Sequence, residues 1–195
     1  MITLITTPLL RTSACLLALA WAGAVGRAQQ AASPREIKVP YALTWGDTAE
    51  KVREMLHAVK ARETAATEKQ PGTVVISAEG LGVGDPLLRA SLFTFREGSL
   101  VEVELQYLDP SWDGEKAVDF FERTRRRIDE RYGPGTLLAN KVKERPSGDK
   151  VPRDMAYTLI LYRWNQPAVA LELNYYAVEG SEKAYRLVSL HYKTP

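Results

Sequence analysis

The chain has 195 residues, 45% of them hydrophobic and 26% charged, with a formal net charge of +2. That composition excludes a disordered, collagen-like or multi-span membrane chain, and the length suits one medium domain or two small ones. The only cysteine, Cys15, excludes an intramolecular disulfide and a zinc site built on cysteines.

Residues 1–28 read as a secretory signal peptide. Arg11 supplies a basic start, and the apolar run Thr12 to Val25 has signal length, short of the roughly 20 residues of a membrane span. Gly26 and Ala28 suit a cut before Gln29; a cut after Ala24 is the alternative. A lipoprotein signal would place its apolar run before Cys15, whereas here the run follows it. The expected product is exported to the periplasm or outside the cell, with no membrane span after cleavage. Removing Arg11 and Arg27 leaves equal numbers of basic and acidic residues. That balance argues against a nucleic-acid partner, which needs an excess of cationic charge.

A first helix is predicted from Trp45-Gly46-Asp47-Thr48-Ala49-Glu50, with Asp47 as cap and Glu50 at the capping-box position. Val52, Met55, Leu56 and Val59 follow at the spacing of a buried stripe. After a break at Gln70-Pro71-Gly72, Val74, Ile76 and Ala78 alternate in a strand, and Gly80 to Pro86 forms a glycine-rich turn. Leu87–Phe95 and Leu100–Tyr107 make a hairpin across Arg96-Glu97-Gly98-Ser99. A second helix runs from about Asp113 to Arg131, with Ala117, Phe121, Thr124 and Ile128 on one face and Gly133-Pro134 as its stop. Strands follow near Leu137–Lys143, Met155–Trp164 and Ala168–Ala177; in Leu87–Phe95 and Met155–Trp164 both faces are rich in apolar or aromatic residues, which leaves open the face that is covered. An extra strand, Ala184–Lys193, closes the chain, and Arg145–Arg153 is expected to be a mobile loop.

An internal repeat runs through these elements. Residues 91–96 match 158–163 at an offset of 67, and 101–107 match 169–175 at 68. Amphipathic strands resemble one another by alternation alone. The matched pairs Arg96/Arg163 and Glu104/Glu172, and Trp45 and Trp112 at 67 apart, are not forced by it. The predicted organisation is a linker at 29–42, a first α-βββ repeat at 43–109 and a second at 110–195 with its extra strand, all in one domain. The fold class is α+β: a two-layer sandwich, two helices on one face of an antiparallel sheet of about seven strands.

With an export signal, a helix opened by Trp-Gly-Asp-Thr-x-Glu-x-Val and a duplicated helix-plus-strands unit, the chain resembles the tandem repeats of β-lactamase-inhibitor proteins. It is similar, more broadly, to small BamE/SmpA-like envelope domains. Those families open the helix with Gly-Met-Thr, and the inhibitors' repeat disulfides have no counterpart here. The resemblance covers roughly residues 43–177 as pattern. It implies a non-enzymatic binding domain and carries over no site residue.

His57 and His191 stand 134 apart with no metal-ligand spacing, so no metal or other cofactor is expected. Glu102 and Glu104 share a strand face roughly 7 Å apart, but they point the same way, unlike the flanking pair of an inverting glycosidase. Glycines 80, 82 and 84 precede a strand rather than the helix that a phosphate loop requires. No serine sits in Gly-x-Ser-x-Gly. The Arg123–Arg127 run lies in a segment, Glu115–Arg131, with six basic and five acidic residues, and reads as a solvated, salt-laced face.

No catalytic residue is assigned. The expected function is an exported, non-catalytic binding or assembly module, contacting a protein or peptide through the sheet face that the helices leave uncovered. Glu102, Glu104 and Gln106 from one repeat and Glu172, Asn174 and Tyr176 from the other are its candidate contact residues. An apolar-ligand carrier using Trp164, Tyr175 and Tyr176, or a carboxylate-based hydrolase, are the alternatives.

Overall fold

The computed structural model describes residues 35–82, 85–145, 155–180 and 184–195. The segment 1–28 expected to be a signal peptide, Cys15 within it, two residues of the glycine-rich turn and nearly all of the 145–153 loop lie outside them.

Both helices begin where a side chain can take up a free backbone amide. In α1 (Ala49–Ala58) the cap is Thr48, which accepts from Lys51 N at 3.4 Å. The expected cap, Asp47, instead closes the preceding turn, accepting from Thr44 N and Thr44 Oγ1 at 2.8 Å each and from Lys51 Nζ at 2.7 Å. The cap therefore sits one residue later, and Glu50 is not at the capping-box position. Helix α2 (Gly114–Tyr132) is capped by Asp113, which accepts from Lys116 N at 2.8 Å, and ends at Gly133 with φ 87°. Val52 and Leu56 of α1, and Ala117, Phe121 and Ile128 of α2, are buried, as their spacing requires. Val59 is not; it lies past the last helical turn, 45% exposed.

The strands are β1 (Arg62–Gln70), β2 (Thr73–Glu79), β3 (Leu88–Arg96), β4 (Ser99–Tyr107), β5 (Thr136–Glu144), β6 (Ala156–Asn165), β7 (Ala170–Glu179) and β8 (Ala184–Lys193). They form one sheet in the order β1-β2-β3-β4-β8-β7-β6-β5, every pairing antiparallel. The fold is thus α+β with eight strands and two helices among the described residues, one strand more than expected. The added strand is β1, which has no apolar alternation because all nine of its residues are exposed at the sheet edge. It is held by its ladder to β2 through the Pro71-Gly72 turn, where Gly72 adopts φ 75°.

Each half of the chain is a helix followed by a four-strand meander, not three strands plus an addition. The closing strand β8 is no appendage: it pairs with β4 on one side and β7 on the other, at the centre of the sheet. By chain path β3 corresponds to β7 and β4 to β8. The sequence match at offsets 67 and 68 aligns β3 with β6 and β4 with β7, one strand out of step. That match reports strand type, not equivalent position.

Both helices pack on the same sheet face. Their buried residues join Ile76, Phe93, Val103, Leu173, Tyr175 and Val188 in a single core. Phe121 stands 5.9 Å from Tyr175 and 6.2 Å from Tyr162, ring centre to ring centre. Residues 35–45, expected to be partly linker, are tied down across the two halves. Ile37 is 2% exposed and its N–H donates to Gln166 Oε1 at 2.7 Å, while Trp45 Nε1 donates to the Ala168 carbonyl at 2.9 Å.

Candidate functional site on the uncovered sheet face

Alternation along each strand sends every second side chain away from the helices. The pairing register then arranges these outward residues in rows. One row runs Arg163, Glu172, His191, Glu104, Leu92 from β6 across β7, β8 and β4 to β3. The next runs Leu161, Asn174, Ser189, Gln106, Ala90. Beyond these lie Leu159, Tyr176, Leu187 and then Tyr157, Val178, Tyr185. On the other side Lys193 faces Glu102.

All six candidate residues therefore lie on one face. They do not adjoin as two symmetric patches, because β8 separates them and contributes Ser189, His191 and Lys193. Those three residues and Arg163 were not assigned from sequence. Their signal was present in the alternation Ser189-x-His191-x-Lys193, but its meaning depended on where β8 lies.

The inserted strand ties the carboxylates together. His191 Nδ1 donates to Glu102 Oε1 at 2.7 Å, and Nε2 is hydrogen-bonded to the Ser189 hydroxyl at 2.9 Å. Lys193 Nζ donates to Glu172 Oε2 at 2.7 Å, and Arg163 Nε donates to Glu172 Oε1 at 2.8 Å. Gln106 Nε2 donates to Glu104 Oε1 at 2.8 Å. The Glu172 side chain is only 5% exposed although no helix covers it: the long side chains around it do.

Burial pushes the Glu172 carboxyl up, but the hydrogen bonds and charges of Lys193 and Arg163 outweigh this and hold it below the usual range. Glu102 behaves alike: burial raises it, and His191 and Lys193 bring it down. Both groups thus have folded values below the unfolded one, about 4.3. The ionised network stabilises the fold above that pH, and the contribution is lost as pH falls through the lower folded values. We expect the thermal midpoint to drop on acidification from about pH 5 to about pH 3. Glu172→Gln should start lower at neutral pH and show a shallower acid slope; a slope equal to that of the native chain would count against this network as its source.

The Glu102–His191–Ser189 chain has the connectivity of an acid, base and hydroxyl relay. Ser189 is 4% exposed, and its strand is hydrogen-bonded on both sides, so neighbouring backbone amides are engaged in the ladder. The geometry orients the imidazole; it does not present the hydroxyl to an incoming carbonyl carbon.

The strands of uncertain facing are now placed. Trp164 lies on the helix side, donating from Nε1 to the Gly133 carbonyl at 2.9 Å and to Asp129 Oδ1 at 3.1 Å. Tyr175 is also on that side, whereas Tyr176 points to the uncovered face and is 38% exposed. The three residues of the apolar-carrier reading therefore do not line one cavity. His57 is exposed in the last turn of α1. Along α2, Arg123 pairs with Asp119 at 3.3 Å, Arg125 with Asp129 at 2.7 Å and Glu122 with Arg125 at 2.9 Å. Among the described residues no group of His, Cys, Asp and Glu converges as metal ligands, and no helix is long and apolar enough to cross a membrane.

No protein-family model, curated protein or solved structure matches the chain.

Proposed function

We propose that the chain is an exported, non-catalytic binding or assembly module whose working surface is the uncovered sheet face, which holds a protein or peptide partner. The observation that carries this reading is the pairing of a hydrogen-bonded charge network with an adjoining tyrosine-rich apolar patch on one rigid surface. Tyr176 and Tyr185, 38% and 46% exposed, border Leu159, Leu187 and Val178. Tyrosines give large contact area at small entropic cost and are enriched where binding energy concentrates. Side chains already held by hydrogen bonds lose little further freedom on docking. The duplicated helix-and-meander plan supports, as part of the same proposal, the likeness to tandem-repeat inhibitor and envelope domains.

The test is affinity capture from an envelope extract of the source organism, with the native chain and a Tyr176→Ser/Tyr185→Ser double variant immobilised in parallel. The expected result is one protein retained by the native chain and reduced by at least about tenfold on the variant. Equal retention on both places the contact elsewhere, and retention of nothing above a blank surface removes the binding reading.

A further inference from the structure

Resting on that reading, we propose that the occupant of the face is an extended protein segment with a basic side chain seated at Glu104 and an apolar side chain, four residues along, on the Tyr176–Leu187–Tyr185 patch. The cation requirement follows from the charges already on the face. Arg163 and Lys193 are both hydrogen-bonded to Glu172, and Glu102 receives the Nδ1 proton of His191. Glu104 accepts only the Gln106 amide and lies 3.7 Å from His191 Nε2, a nitrogen already hydrogen-bonded to the Ser189 hydroxyl.

Among the described residues, Glu104 is thus the one carboxylate of this cluster with no lysine or arginine nitrogen within 4.0 Å. Its side chain is 19% exposed, so a partner cation reaches it in a partly desolvated setting, where an ion pair counts for more than at an open surface. The central rows hold three carboxylates, Glu102, Glu104 and Glu172, and only two lysine or arginine side chains, Arg163 and Lys193, both of them on Glu172.

The spacing follows from the register. His191 lies opposite Glu104, and Leu187 lies four residues from His191 on the same strand. Four residues of extended chain span about 13 Å. A segment lying along β8 therefore puts residues i and i+4 on the side facing the sheet, one over Glu104 and one over the patch. The intervening row, Gln106, Ser189 and Asn174, is uncharged and accommodates the residue between them.

The probe is a synthetic extended peptide of threonine and serine carrying lysine and phenylalanine four residues apart, titrated against the chain by fluorescence anisotropy. Two controls replace the lysine with glutamate or move the phenylalanine one position, to the opposite side of the extended chain. The lysine peptide should bind at least about tenfold more tightly than either control. In Glu104→Gln, whose circular dichroism should match the native chain, the preference for lysine over glutamate should shrink to within about twofold. Tyr176→Ala should weaken lysine and glutamate peptides alike.

Equal affinity for lysine and glutamate peptides, or a lysine preference that survives Glu104→Gln, overturns the basic segment while leaving the face as a binding surface. No binding of any peptide overturns this occupant. If the captured partner is also indifferent to Tyr176 and Tyr185, the uncovered face fails as the contact surface, and capture of no partner at all removes the binding reading with it.

Discussion

Phe121→Ala is expected to lower the unfolding free energy by about 3–5 kcal/mol, the range for emptying a fully buried aromatic site. Phe121 is 0% exposed and is the central contact of α2 with the sheet, facing Tyr175 of β7 and Tyr162 of β6. Neither ring can swing into the vacated space freely. Tyr175 is itself buried, and the Tyr162 ring lies under the Arg125 guanidinium, 5.2 Å from its centre. A chain of this size loses roughly 2–4 °C of thermal midpoint per kcal/mol, so the midpoint should fall by about 6–20 °C. Urea denaturation followed by circular dichroism checks this, and a loss below about 1.5 kcal/mol would mean that α2 does not depend on this contact.

The second large effect comes from adding a single methyl group. A Cβ placed on Gly135 would lie 2.5 Å from Trp164 Cε2 and 2.6 Å from Cζ2, and the indole cannot simply retreat. Its Nε1 is committed to Gly133 and Asp129, and its ring stacks on Tyr162 with centres 6.2 Å apart. Gly135→Ala should cost about 2–3 kcal/mol, from overpacking and from leaving a buried N–H without its acceptors. In a Trp164→Phe background, which removes the atoms that collide, the same change should cost less than about 1 kcal/mol. Equal costs in the two backgrounds would show that Gly135 is required for some reason other than the indole.

Gly135 also marks where local reading stops. In sequence it is an unremarkable residue after the helix stop Gly133-Pro134. Its constraint comes from Trp164 on β6, 29 positions on, whose facing the apolar character of both sides of that strand left open. The structure resolves the ambiguity through hydrogen bonding: an indole N–H in the core needs acceptors, and the end of α2 supplies them.

The elements themselves were legible to different degrees. Helices α1 and α2 announce themselves through a 3.6-residue stripe and capping side chains, both local features. Strand β1, Arg62–Gln70, carries no such mark, because neither of its faces is buried and burial is what imposes alternation. The site was legible in part for the same reason. Glu102, Glu104, Gln106, Glu172, Asn174 and Tyr176 alternate with core residues, so their common face could be read. Their hydrogen-bond partners on β8 could not.

The amino-acid sequence by itself determined the two helices and the side of most strands on which each residue lies, because those properties have periods of a few residues. Only the tertiary structure decided the order of the strands. Placing β8 between β4 and β7 requires a ladder joining residues as distant as Glu102 and Lys193, and many orders of amphipathic strands satisfy the same alternation. Burial of one continuous core beneath two helices selects among them. That selection converts Glu102, Glu104 and Glu172 from solvated surface acids into one network with His191, Lys193 and Arg163.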